Sequence, residues 1–228
     1  VTIYSGDAYE QFTEGLTTFL NEGNSVEKIP DIQGIAKVYD CFSENETGYI
    51  IGEYLEGETL KEIFDTGKKY DVSEAKEIII SILQGLKELH ASGVIHYDIC
   101  PDNVVITTAG ETKLINFGAT KYSTTSNSKS LAIILKPGYA PEEQYRSQGE
   151  KGPWSDVYAT AALMYRMITG VVPEESVERA MMDALKTPSE LGVKISKSME
   201  NALLNALNVY QEYRTQTADK FIEELQSD

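Results

Sequence analysis

One stretch near the middle of this 228-residue chain, His96-Tyr97-Asp98-Ile99-Cys100-Pro101-Asp102-Asn103, most constrains what it can fold into. Ahead of it, Ile78, Ile79, Ile82, Leu83, Leu86 and Leu89 form a wide apolar helical stripe that Gly93 closes. Behind it, residues 104–107 and 113–115 read as two short strands turning at Ala109-Gly110, and Leu114-Ile115-Asn116-Phe117-Gly118 leaves the second. A polar loop is thereby held between a buried helix and a hairpin. Asp98 and Asn103 stand five positions apart in it, and both residue types cap turns well.

The rest of the pattern is a small α+β part followed by a larger helical part. Phe12, Leu16, Phe19 and Leu20 recur at helical spacing within residues 7–25. Residues 35–42 and 48–54 read as strands around the turn Asn45-Glu46-Thr47-Gly48. Glu53-Tyr54-Leu55-Glu56-Gly57 reads as a connector, and residues 59–65 as a short helix. Ser73 is the expected N-cap of the long helix that follows. The Ser/Thr-rich residues 120–130 lack periodicity and read as a loop, and helices are expected over 154–169, 175–185, 196–207 and 217–225.

A formal net charge of −16, with no polybasic cluster to offset it, excludes nucleic acid and anionic membrane surfaces as natural partners. The two cysteines, Cys41 and Cys100, make no disulfide framework, so a reducing cytoplasmic setting is expected. Apolar runs such as Ile78-Ile79-Ile80 are too short to span a bilayer, and the first residues lack the pattern of a signal peptide. The chain opens on Val1 rather than Met, as a processed or excised piece would.

Five signals fall in one order: His96…Asp98…Asn103, Asn116-Phe117-Gly118, Ala140-Pro141-Glu142, Trp154-Ser155-Asp156-Val157-Tyr158 and Arg214. In that order the chain resembles the eukaryotic-like Ser/Thr protein kinases, most closely bacterial members, from about residue 7 to the end. The resemblance implies an α+β, protein kinase-like fold in a single domain. It places a reduced N-lobe of one helix and two antiparallel strands over residues 1–54, and a mostly helical C-lobe over 55–228. It puts Asp98 at the catalytic-base position of H-R-D-x-x-x-x-N, Asn103 at the catalytic-loop Asn, and Asn103 with Asn116 at the two metal-ligand positions. Glu53, Tyr54 and Leu55 stand at the hinge that borders the nucleotide, and Glu22 at the helix Glu. Structural roles fall to His96, Phe117, Asp156 and a buried pair between Glu142 and Arg214. Cys100 stands where such kinases carry a phosphate-facing Lys and reads as a packing residue.

Against that pattern the chain is incomplete. It has no G-x-G-x-x-G, and no Lys or Arg precedes Lys28, so Glu22 has no strand Lys to hold within this chain. At the D-F-G position the neutral amide of Asn116 replaces a carboxylate, a poorer ligand for Mg²⁺. Phosphoryl transfer depends on positioning and charge neutralisation, and a single lost electrostatic contact commonly costs ~10²–10³ in rate. Tyr97 replaces the Arg that reads a phosphorylated activation segment, leaving residues 123–130 no receiver for phosphorylation. The expectation is therefore a catalytically impaired signalling or scaffolding module with no cofactor, Asp98 and Asn103 being structural remnants. It would work through a protein partner or self-association at the exposed N-lobe sheet edge, or by holding a peptide at Lys136-Pro137-Gly138-Tyr139. The rival expectation is a bacterial Ser/Thr kinase using ATP and Mg²⁺, its Gly-rich loop and Lys strand lying outside this chain or supplied in trans. A sensor using the nucleotide cleft has no sequence signal of its own.

Overall fold

The computed structural model describes residues 7–116 and 135–227, apart from the side chains of Asp7, Ala8, Gln11 and Glu22. The expected loop over 120–130 and Phe117 lie outside the described residues. The chain begins with helix α1 (Asp7–Glu27), followed by the antiparallel strands β1 (Val38–Glu44) and β2 (Thr47–Gly52). α1 lies close on this hairpin because two glycines give it room. A Cβ on Gly23 would sit 2.4 Å from Cys41 Sγ, and one on Gly48 would sit 2.9 Å from both Leu16 Cδ1 and Phe19 Cδ1.

The first strand starts later than the sequence pattern suggests. Ile35 instead forms an isolated parallel bridge with Leu114. Around it the Leu114 N–H donates to Gly34 O at 2.8 Å, and the Ala36 N–H donates to Leu114 O at 2.8 Å. This seam stitches the small lobe to the strands of the larger one.

A strand absent from the sequence reading, β3 (Gly57–Thr59), starts at the last residue of the expected connector and takes in Thr59, where the short helix was expected to begin. It pairs with β4 (Val104–Thr107), which pairs with β5 (Thr112–Leu114), in a three-stranded antiparallel sheet. Three residues without apolar alternation give no strand signal; Gly57 fits there because a Cβ would meet Ile106 O at 2.3 Å. Thr59 then caps α2 (Leu60–Asp65) in a reciprocal capping box with Glu62.

The long helix α3 (Val72–Ala91) is capped by Asp71, not by Ser73. The Asp71 carboxylate accepts the Glu74 N–H at 2.8 Å, and Glu74 returns the bond to the Asp71 N–H at 3.2 Å. Ser73 donates to Asp71 instead of capping. The remaining helices are α4 (Pro153–Thr169), α5 (Ser176–Met181), α6 (Lys197–Ala206) and α7 (Ala218–Gln226). α5 is shorter than expected: Arg179 grips Asp183 at 2.9 Å, and Asp183 accepts the Leu185 N–H, which turns the chain.

The core gathers where α3, α4, α6 and α7 meet. Ile79, Leu83, Leu86, Leu89, Leu163, Leu203, Phe221 and Leu225 are all fully buried there. Each such side chain contributes roughly 1.5–3 kcal/mol by leaving water. The fold is thus a mostly helical large lobe carrying a small lobe of one helix and two strands. No helix among the described residues is long and apolar enough to cross a membrane.

Candidate functional site

The loop at residues 96–103 is positioned from beneath by α4. Its Asp156, almost fully buried, accepts the His96 N–H and the Tyr97 N–H at 2.8 Å each, and contacts His90 Nε2 at 2.8 Å. Two adjacent N–H groups can converge on one carboxylate because Tyr97 takes a left-handed φ of 62°. His96 Nδ1 accepts the Asp98 N–H at 3.2 Å, which leaves the ring proton on Nε2 to donate to Ile115 O at 3.2 Å. One buried imidazole thereby ties the loop to the chain just before Asn116.

The three polar side chains at the centre form a chain of hydrogen bonds. Asn103 Nδ2 donates to both the carbonyl and the Oδ2 of Asp98, each at 2.8 Å. Its Oδ1 must therefore face outward, where Asn116 Nδ2 donates to it at 2.9 Å. The order amide, amide, carboxylate is set by chemistry, because Asp98 accepts when ionised and donates nothing. Asn116 reaches this position with φ of 60°, a conformation Asn tolerates better than most residues.

Beside this chain, Asp102 Oδ2 lies 3.2 Å from Lys136 Nζ and accepts a weak bond from Cys100 Sγ at 3.8 Å. Cys100 is completely buried. Burial, reinforced by the Asp98 charge, pushes its thiol up to about 12, so it is a neutral packing group with little nucleophilic character. The turn through Lys136-Pro137-Gly138-Tyr139 is held by the Tyr139 and Ala140 N–H groups, both 3.1 Å from Lys136 O. Gln144 Nε2 also donates to Tyr97 O at 2.9 Å, seating this segment on the loop.

The partner of Arg214 differs from the expected one. Arg214 binds Glu143 Oε1 and Oε2 at 2.7 and 3.1 Å, while Glu142 turns to Arg146. The two adjacent glutamates lie in a single 3-10 turn (Glu142–Gln144), and only the second points at the buried guanidinium. Sequence spacing cannot separate them. In the fold the choice is fixed by Ser155, whose hydroxyl donates to Glu143 Oε1 at 2.9 Å.

At the hinge positions, Glu53 accepts the Lys37 N–H at 3.1 Å and lies 3.6 Å from Lys113 Nζ. Tyr54 is 89% exposed and faces solvent. Glu53 and Leu55 border a cavity of about 610 Å³ walled by Val26, Val38, Ile50, Val105 and Ile115, with Asn116 also on its lining. Glu22 lies in α1, and its side chain is outside the described residues.

The protein kinase domain family matches residues 6–227, and the chain belongs to that family. It is 31% identical over 219 residues to the serine/threonine-protein kinase PrkC of Bacillus subtilis (strain 168), covering 92% of this chain and 33% of PrkC. It is also 31% identical over 171 residues to the serine/threonine-protein kinase PknL of Mycobacterium tuberculosis (strain ATCC 25618 / H37Rv), covering 75% of this chain and 41% of PknL. The chain thus spans about a third of the length of the first relative. Among solved structures, Rad53 1-466 in complex with AMP-PNP superposes with a TM-score of 0.73 at 20% identity. That likeness covers 93% of this chain and 56% of the Rad53 chain, and it speaks to fold alone.

Proposed function

We propose that this chain is a pseudokinase: a protein kinase-like domain that acts by binding, as a signalling or scaffolding module. The observation that carries this reading is the Asn116 → Asn103 → Asp98 chain of hydrogen bonds. A divalent cation in this position needs oxygen atoms directed at it. Here Asn116 presents an N–H to Asn103 Oδ1, so the oxygen that would face a metal is already satisfied. A carboxylate at position 116 would set two acceptors against each other and create a demand for a cation. The amide removes that demand. The present residues do not suit Mg²⁺, and Asp98 is left as a structural acceptor.

The partner we propose is another protein, or a second copy, adding a strand to the β1–β2 hairpin. Among the described residues this sheet has two strands, and its exposed residues Tyr39, Tyr49 and Ile51 offer apolar contacts beside its edge. The names of the relatives favour a second reading, an active serine/threonine kinase. The two separate in a phosphotransfer assay with ATP and Mg²⁺ or Mn²⁺ on a generic basic protein. Incorporation that Asp98→Asn abolishes would overturn the pseudokinase reading; incorporation indifferent to that change would come from a contaminant.

A further inference from the structure

We infer that the large lobe carries a docking face at the end of α5, which takes a basic segment of another protein with apolar side chains beside its charges. This face belongs to the large lobe and not to the β1–β2 hairpin, and it stands whether or not the chain transfers phosphate. It is marked by two adjacent methionines. Met181 and Met182 close α5 and are 82% and 77% exposed, so two large apolar side chains lie in water side by side. Methionine is unbranched and polarisable, and it moulds itself to irregular apolar partners. Tyr210, also exposed, joins the pair, because its hydroxyl donates to Ala180 O at 3.2 Å and sets the ring beside the same helix end. Tyr210 in turn lines a cavity of about 450 Å³ shared by residues of the segments 142–150 and 210–212. The apolar surface therefore has a polar cavity at its side.

Charge selects the occupant. Among the described residues, the cavity sets Glu142, Glu143, Glu150 and Glu212 against the single guanidinium of Arg146. Glu143 is spent on Arg214, and Glu142 on Arg146. Glu150 and Glu212 form no ion pair with any described residue. Glu178 adds a third exposed carboxylate, three and four residues ahead of the methionines and so on their side of α5. Gln211, on the same cavity lining, keeps its Oε1 buried without a hydrogen-bond partner among the described residues. A guanidinium has five N–H donors and no acceptor, so it can meet carboxylates and an amide oxygen together. A second copy of this chain is the wrong occupant. A two-fold contact sets a patch against its own image, which here would oppose Glu150, Glu178 and Glu212 to themselves on a chain of net charge −16. A segment that carries arginine next to an apolar residue answers both parts of the face.

The test is fluorescence anisotropy of a labelled synthetic peptide alternating arginine and leucine, titrated with the whole chain, beside the same peptide with glutamate in place of arginine. The arginine peptide should bind and the glutamate peptide should not. Glu150→Gln with Glu212→Gln should weaken binding roughly fivefold, the worth of two exposed ion pairs. Met181→Ser with Met182→Ser should weaken it roughly tenfold. All four side chains are exposed, so both variants should keep the melting temperature of the parent. Glu77→Gln with Glu88→Gln removes the same charge from α3 and should change binding by no more than about twofold. Each of the following overturns the inference: no binding of the arginine peptide, equal binding of the glutamate peptide, an α3 variant that weakens binding as much as the cavity variant, or a methionine variant that binds like the parent. Sedimentation of the parent alone adds a last check, because a dimer that Met181→Ser with Met182→Ser dissolves would give the face to a second copy instead.

Discussion

Arg214 and Glu143 form a two-point ion pair sealed inside the large lobe, with Nη1 2.7 Å from Oε1 and Nη2 3.1 Å from Oε2. The guanidinium spends its other N–H groups on the carbonyls of Asn208, Trp154 and Val209, and stacks 4.9 Å from the Tyr158 ring centre. All five donors are therefore used. Removing one partner leaves a buried charge with nowhere to go, whatever the pair's own net worth.

Glu143→Ala should accordingly cost on the order of 3–5 kcal/mol of stability. Glu142→Ala should cost under about 1 kcal/mol, because its partner Arg146 is largely exposed. Paired urea melts check this, and equal losses would show that the two glutamates have been assigned the wrong way round.

Asn116→Asp tests the metal-free centre. With a carboxylate at 116, the 2.9 Å contact to Asn103 Oδ1 becomes acceptor against acceptor. The variant should lose about 1–3 kcal/mol without divalent cations, and regain stability as Mg²⁺ is added. The parent protein should show no such gain. Thermal melts at several Mg²⁺ concentrations give the answer, and a parent protein that Mg²⁺ stabilises would contradict the site geometry.

Burial holds the Cys100 thiol protonated up to about 12, well above the ordinary thiol range. The unfolded thiol ionises first as pH rises, so the folded state alone keeps its proton. The contribution of Cys100 is therefore complete below the unfolded thiol value, and declines by about 1.4 kcal/mol per pH unit from there to about 12. Cys100→Ala should flatten the difference between melts at pH 8 and pH 10 relative to the parent, because that range spans the ionisation of the unfolded thiol. Alkylation of native protein should label Cys41 ahead of Cys100, since Cys41 is only half-buried; rapid native labelling of Cys100 would refute its packing role.

Gly23→Val should loosen the small lobe specifically. Its Cβ would overlap Cys41 Sγ at 2.4 Å and press on Ile50 at 3.0 Å. Overpacking of this kind costs typically 1–3 kcal/mol. Hydrogen exchange should speed up in α1 and the β1–β2 hairpin while the amides of α3 and α4 keep their protection. Uniform acceleration throughout would show that the small lobe does not open separately.

The order of elements was legible because it rests on strong local signals. The aliphatic stripe from Ile78 to Leu89 admits little besides a buried helix, and Asn116 declares its missing charge in the sequence itself. What stayed hidden is set by geometry that spacing does not carry. Asp71 outcompetes Ser73 as a cap because Glu74, three positions on, can reciprocate. β3 exists because β4 lies beside it, not because Gly57-Glu58-Thr59 prefers extended backbone. Likewise, nothing in two consecutive glutamates tells which one a 3-10 turn will direct inward.

The seam at Leu114 also makes the small lobe a lever. The peptide of Leu114 is gripped on one side by Gly34 and Ala36 and continues, two residues later, into Asn116. A pull on the segment between α1 and β1 is therefore felt as tension along one short length of chain that ends at the polar centre. Leverage applied at the hairpin does not have to cross the cavity or be relayed through the core. It arrives through two hydrogen bonds at Leu114 and the two peptide links that follow, so what grasps this lobe also has a hand on Asn116.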